Sequence, residues 1–393
     1  MAAMSSALRL AGLLLACALL VGLGCLGGES LRHADTPPSV RDCFKVATDG
    51  GPLLLPVTIQ GKDYPFLMKT GSSRTIYGVR LRPLLGKTIL SKQMRMSDHE
   101  FTVTFCRPPA AKLGHLDLPK KSPVVCMELG KIDEVSGEEI AGLLGMDFLS
   151  QHVCRIDFDR GEVTFPSSVG RDPGQRLPVV FTEHLPHVMV EIPSLHRRES
   201  FGVDTGNAGY SSGDLRRETF AALVKQGLLK LLGEGLAEIL GGETITVRSG
   251  RVDAISLAGF RHEKLVFSES DENVLGLNYL SRFVVTFDFP HKAIYLKKGR
   301  QYDRPDVSDL SGLAVLRRNG QTLVLSMEED GPAVRAGVKS QDELLKINER
   351  NAKEMSLYSI RRAFCTEGKK YRLLIRRGEK ELETDLVLPD QQP

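Results

Sequence analysis

Between residues 50 and 300 the chain is dominated by short runs that alternate apolar and polar positions. Gly, Pro, Asn and Asp separate these runs, a pattern that predicts a mainly β protein. Leu53-Leu-Leu-Pro-Val-Thr-Ile-Gln60 reads as a strand, Gly61-Lys62-Asp63 as a hairpin turn, and Tyr64 to Met68 as the returning strand. Further strands are expected at Phe101–Phe105, Val124–Met127, His187–Pro193 with a return through Phe201, Thr244–Val247 and Ala293–Leu296. One extended stretch carries helical spacing instead. It runs from Thr219 to Leu240, with Phe220, Leu223, Val224, Leu228, Leu231 and Leu232 on one face, and Gly227, Gly233 and Gly235 predict that it breaks into shorter helices. After Lys298 the rhythm changes. Strand-like runs at Gly312–Val315, Leu323–Ser326, Tyr371–Arg376 and Leu382–Leu388 surround a helix-like Ser356–Phe364, and predict a separate unit over 305–389.

The alternating region contains itself twice. Tyr64-Pro-Phe-Leu-Met-Lys69-Thr70-Gly71-Ser72 has the same frame as Glu199-Ser-Phe-Gly-Val-Asp204-Thr205-Gly206-Asn207. Downstream, Ala141-Gly-Leu-Leu-Gly145-Met-Asp-Phe-Leu-Ser aligns with Asn273-Val-Leu-Gly276-Leu-Asn-Tyr-Leu-Ser. Lys69 to Gly145 is 76 residues (145 − 69) and Asp204 to Gly276 is 72 (276 − 204), so the repeat is of one β-rich lobe. In each copy an apolar strand ends on a charged residue. A glycine two positions on permits the sharp turn that leaves that residue facing a cleft.

This doubled frame resembles the aspartic peptidases of the pepsin and retropepsin kind, over roughly residues 50–298. In that family each lobe supplies an Asp-Thr-Gly or Asp-Ser-Gly backed by an apolar-apolar-Gly segment. The resemblance implies a bilobal, acid-protease β-barrel fold, with lobes at 51–168 and 178–300 and a connection at 169–177, where Pro166–Arg176 is rich in Ser, Gly, Asp and Pro. It implies Asp204 as the catalytic group with Lys69 at the partner position, Thr70 and Thr205 as hydroxyls bracing the two loops, and Ser72 and Asn207 as the small polar residues that follow Gly71 and Gly206. It also implies a substrate-covering hairpin between Met94 and Leu118. Lys69 is the departure. The family's chemistry needs two carboxylates sharing one proton, one of them acting as base on a water. An ammonium beside a carboxylate favours the charged form of both, so hydrolysis is expected to be impaired or absent. Asp63, six residues upstream in the hairpin turn, offers no substitute. The alternative is an endopeptidase still active through Asp204, including one in which two chains set Asp204 against Asp204 as the retropepsin dimers do.

In the C-terminal unit, Gly331-Pro-Ala333, Ala336-Gly337 and Asp342-Glu-Leu-Leu345 occur in the order seen in PDZ domains, which this segment resembles. Such domains capture an extended peptide or a protein C-terminus by adding it to a sheet edge. The resemblance implies Gly312, Leu313, Ala314 and Val315 as the carboxylate-binding loop and places Ile360 and Phe364 near the groove. A unit that only packs against the lobes, or an envelope scaffold recruiting partners, are the alternatives.

The N-terminus bears on location. Arg9 precedes an uncharged run from Leu10 to Leu26, which reads as a signal peptide or lipoprotein signal over 1–28, with an uncleaved anchor as the alternative. Cys25 is a candidate lipid-attachment site, although Gly22 stands where lipoprotein signals carry leucine. The protein is therefore expected to be exported: periplasmic, an envelope lipoprotein anchored to the membrane through its N-terminus, or secreted. Residues 29–50, with Pro37-Pro38, read as a tether. Export permits disulfides; Cys106 and Cys126 could bridge, or could be buried single thiols. A net charge of +3 on 393 residues argues against an extended nucleic-acid footprint. No cofactor motif is present. Lys69-Thr70-Gly71 matches the Lys-Thr-Gly of serine β-lactamases, but the Ser-x-x-Lys nucleophile is absent from the chain. His184 and His187 are separated by Pro186, which argues against a helical metal pair, so no metal is expected. The oligomeric state is left open.

Overall fold

The two repeated stretches fold to the same local plan. In the computed structural model, which describes residues 40–390 apart from 49, 97–98 and 239–243, the strand Lys62–Met68 runs parallel to Gly142–Leu144, with Leu144 opposite Met68. In the second copy Arg197–Val203 runs parallel to Val274–Leu275, with Leu275 opposite Val203. A short helix follows each, Met146–Leu149 and Leu277–Leu280. Next come Val153–Asp157 and Phe283–Asp288, which pair antiparallel with each other, Ile156 opposite Val285. Equivalent strands meeting antiparallel is the arrangement a local twofold relation between the copies requires.

Those two strands form the middle of a six-stranded sheet to which each copy gives three strands. Val40–Lys45 and Glu162–Pro166 flank one side, Ala293–Lys298 and Gln175–Pro178 the other. A nine-stranded sheet built from the first copy and an eight-stranded sheet from the second stand beside it. One continuous apolar core fills the space between them, reaching from Leu53 through Phe148 and Phe201 to Leu296. Burial of large side chains such as Phe66, Phe148, Phe201 and Phe287, each worth roughly 2–3 kcal/mol, is what fixes the alternating register of the strands. Residues 313–387 make a separate sheet with its own core, including Val324, Leu344, Ile360, Phe364, Leu373 and Leu386.

Three expectations are corrected. The extended helical stretch is a helix only over Arg217–Lys225, followed by the strand Leu229–Glu238. Gly227 takes φ +68°, and Leu228 N–H bonds Leu223 C=O at 2.9 Å, so the helix closes there. Beyond it the backbone pairs antiparallel with Thr244–Leu257, Leu229 opposite Val252, and a bulge between Leu231 and Gly233 interrupts the alternation, which leaves Leu231 exposed. The reading of a tether to residue 50 fails at its end, because Val40–Lys45 is hydrogen-bonded to Glu162–Pro166. Likewise the strand Gln175–Pro178 occupies the end of what reads as a connecting loop. Cys106 and Cys126 are buried free thiols and form no bridge; Cys43, Cys154 and Cys365 are free as well.

The residues expected as a targeting segment, 1–28 with Cys25, lie outside the described residues. Among the described residues no helix is long and apolar enough to cross a membrane.

Candidate functional site

Lys69 and Asp204 end their strands side by side, Lys69 Nζ donating to Asp204 Oδ2 at 2.7 Å. Matching backbone bonds aim them: Lys69 N–H to Leu144 C=O at 3.0 Å, and Asp204 N–H to Leu275 C=O at 3.1 Å. Below them the two loops interlock. Thr70 N–H donates to Thr205 Oγ1 at 3.1 Å and Thr205 N–H to Thr70 Oγ1 at 3.0 Å. Each hydroxyl then donates across to the other copy's strand, Thr70 to Val203 C=O at 2.6 Å and Thr205 to Met68 C=O at 2.8 Å. Both threonines are wholly buried, so four reciprocal bonds hold the loops in one arrangement.

The glycines allow this approach. A Cβ on Gly71 would stand 2.3 Å from Asp204 Cγ, and one on Gly206 would stand 2.7 Å from Lys69 Cγ. Their amides also serve the site: Gly71 N–H and Gly206 N–H both donate to Asp204 Oδ1, at 3.1 and 2.8 Å. The Asp204 carboxylate therefore accepts two amides on one oxygen and the lysine ammonium on the other. Ser72 donates its hydroxyl to Arg74 C=O at 2.8 Å and its C=O accepts from Met146 N–H at 2.8 Å, while Asn207 C=O accepts the equivalent bond from Leu277 N–H at 2.7 Å.

A second carboxyl escaped the sequence reading. Asn207 Nδ2 donates to Asp214 Oδ2 at 2.7 Å, which ties Asp214, on the strand Gly213–Arg216, to the Asp204 loop. Burial, with some help from the Asp204 charge, pushes the Asp214 carboxyl up to about 7, against the Asn207 hydrogen bond and Lys69. The only sequence signal for it is a polar residue directly after Ser-Ser-Gly where a strand was not foreseen.

Lys69, Asp204 and Asp214 sit on the wall of a cavity of about 2580 Å³ that continues beneath the C-terminal unit, where Leu313, Val315 and Arg361 line it. The hairpin of Thr88–Met96 and His99–Cys106 borders it through Met94, Phe101 and Val103. Among the described residues no group of three or more His, Cys, Asp or Glu is placed to hold a metal ion.

At the C-terminal unit, Gly312 takes φ +67° and leads into Leu313–Arg318, the terminal strand of its sheet. Gly312, Leu313, Ala314 and Val315 all face the shared cavity. Ile360 and Phe364 do not. Both are fully buried in the unit's own core, and Tyr358 and Arg361 line the cavity in their place. The helix Leu357–Ala363 explains the exchange: Leu357, Ile360 and Phe364 recur at helical spacing on the core face, which turns residues 358 and 361 toward the cavity.

No family model matches the chain. It is 22% identical over 133 residues to the carboxy-terminal processing protease CtpA of Bacillus subtilis (strain 168). The matched stretch is 33% of this chain and spans only 28% of that relative's length.

Proposed function

We propose that this protein is an exported, aspartic-peptidase-like binder of extended polypeptide that hydrolyses its ligand poorly or not at all. Two lobes at 51–168 and 178–300, joined through 169–177, form the trough, and a PDZ-like unit at 305–389 stands at one end of it. The observation that carries the reading is the 2.7 Å contact of Lys69 Nζ with Asp204 Oδ2 inside a duplicated, interlocked pair of loops. A dyad that shares one proton needs a carboxyl where Lys69 stands, and here both Asp204 oxygens are already taken by donors. A cavity running from this pair to the edge of the C-terminal sheet supports a chain-like rather than a compact ligand. The distant similarity to a protease named for processing carboxy termini is in keeping with work on polypeptide.

The test is cleavage of a permanently unfolded protein, such as casein, between about pH 3 and 7, with and without an aspartic-peptidase inhibitor. The wild-type chain is expected to bind casein and leave it intact. Lys69→Asp restores a carboxyl pair and is expected to give inhibitor-sensitive cleavage on the acid side of neutrality. Wild-type cleavage that disappears in Asp204→Ala would defeat this reading in favour of an active endopeptidase.

A further inference from the structure

The strand Leu313–Arg318 ends its sheet, so one of its edges carries no strand partner among the described residues. That edge is nevertheless covered. The helix Gly130–Ser136 of the first copy packs against it, and three attachments hold it there. Arg318 forks onto Glu134, Nε to Oε1 at 2.9 Å and Nη2 to Oε2 at 2.8 Å. Arg361 Nη2 donates both to Val315 C=O at 2.7 Å and to Val135 C=O at 2.8 Å, bridging the strand edge to the helix. Gly137, at φ +74°, lies so near the helix Leu357–Ala363 that a Cβ on it would stand 2.6 Å from Leu357 Cγ.

The helix fills the space beside the strand, and two of the main-chain groups an incoming strand would need are engaged by side chains of the C-terminal unit, one of them, Arg361, shared with the helix. Val324, opposite Val315, gives its N–H to Asp342 C=O at 2.9 Å, which leaves Val315 C=O to Arg361. Leu313 N–H is taken by Ser311 Oγ at 3.1 Å. Strand addition depends on main-chain donors and acceptors at the edge being open. In the closed arrangement Val315 C=O and Leu313 N–H are engaged, and the helix stands where the added strand would lie.

We propose that residues 130–137 are an intramolecular latch on the strand-adding edge of the C-terminal unit, so that polypeptide capture at Leu313–Arg318 and closure of the latch exclude one another. The inference rests on the reading of that edge as a polypeptide site. Because Ile132 and Val135 also line the cavity, release of the helix widens the trough that holds Lys69 and Asp204. Occupation of the far end thereby opens the near one.

The test uses the full chain, fluorescein-labelled β-casein as an unfolded probe read by anisotropy, and amide hydrogen exchange of segments 130–137 and 313–318. Glu134→Ala removes the fork, and Gly137→Ala pushes the helix off Leu357; both substitutions lie on the helix side of the contact and leave the residues of Leu313–Arg318 and of the Lys69–Asp204 loops unchanged. Both variants are expected to exchange faster in the two segments and to bind casein more tightly, Glu134→Ala by about fivefold, the factor by which the open fraction rises when one forked ion pair is lost. Unchanged exchange overturns the latch. Faster exchange with unchanged affinity overturns the competition, since the helix then guards nothing that polypeptide uses. If wild type and variants all bind equally, the polypeptide reading stands and the latch alone falls; if none binds, both fall together.

Discussion

Asp214 holds its proton because of where its strand enters. Gly213–Arg216 slots between Val274–Leu275 and Phe260–Ser270, which buries most of the carboxyl and points its Oδ2 at Asn207. Folding raises the group from 3.8 to about 7, so between about pH 4 and 7 the folded chain keeps a proton that the unfolded chain releases. Stability contributed at this position therefore falls as pH rises through that window and stays low above it. Asp309 is raised to about 7 by burial as well, so the wild-type curve carries both groups and a difference is the cleaner measurement. Asp214→Asn keeps an acceptor for Asn207 Nδ2 and removes the charge. The melting temperature of the variant, relative to wild type, should be higher at pH 8 than at pH 4 by roughly 5 °C. Equal differences at the two pH values would mean that Asp214 is ionised in the folded state. The chain's own order of residues made Lys69 and Asp204 legible, because each sits in a repeated frame whose other members could be counted. Asp214 has no counterpart in the first copy, and its burial comes from strands about 50 to 60 residues further on, which no local pattern encodes.

At the scale of elements, the two loops are legible for the same reason that they are fragile. Each consists of a strand end, a threonine turned under the other loop, and a glycine whose missing side chain makes room for the opposite charge. Gly71→Ala puts a methyl 2.3 Å from Asp204 Cγ, against a partner fixed by two amides and an ammonium. It should cost about 3 kcal/mol or more in urea unfolding, at the upper end of overpacking penalties. Gly61→Ala, at φ +81° with open space around it, serves as the comparison and should cost about 1 kcal/mol. A smaller loss at Gly71 than at Gly61 would show that the loops can slide apart. Strand pairs with clear alternation and a turn signal, such as Leu54–Ile59 with Lys62–Met68, were readable directly. The stretch after Thr219 was not, because leucines at 228, 231 and 232 keep helical spacing into a segment that folds as a strand, and the backbone at Gly227 ends the helix before them. For Ile360 and Phe364 the resemblance to PDZ domains points to the groove, whereas the helical period of Leu357, Ile360 and Phe364 in the sequence turns them inward and is the stronger guide.

Across the whole molecule, the segment joining the second copy to the C-terminal unit is pinned by one buried carboxylate. Asp306 accepts from Arg282 Nη2 at 2.6 Å, Asn278 Nδ2 at 2.8 Å, Ser212 Oγ at 2.7 Å and the Val266 amide at 2.8 Å. Arg282 and Asp306 have side chains only 1% and 0% exposed. Removing one partner strands the other without solvent, so Asp306→Ala should lose about 3–5 kcal/mol, and Asp306→Asn, which keeps acceptor capacity, less. Trypsin should also gain access at Arg300 and Arg304, visible as early fragments in limited digestion. Wild-type resistance in Asp306→Ala would mean that other contacts carry the junction. Tyr210, on the loop after Asn207, adds a contact of its own, its ring 6.1 Å from that of Tyr358 across the same junction.

The Arg282–Asp306 pair also bears on how the protein is made. A ribosome delivers Arg282 first and Asp306 24 residues later (306 − 282), so while the intervening segment is still in the exit tunnel the guanidinium has no counter-charge to bury against. The second copy, and with it the Thr70–Thr205 interlock, can reach its final packing only after synthesis has passed well beyond the last strand of that copy. A nascent chain halted near Lys298 would hold a complete repeat that cannot close.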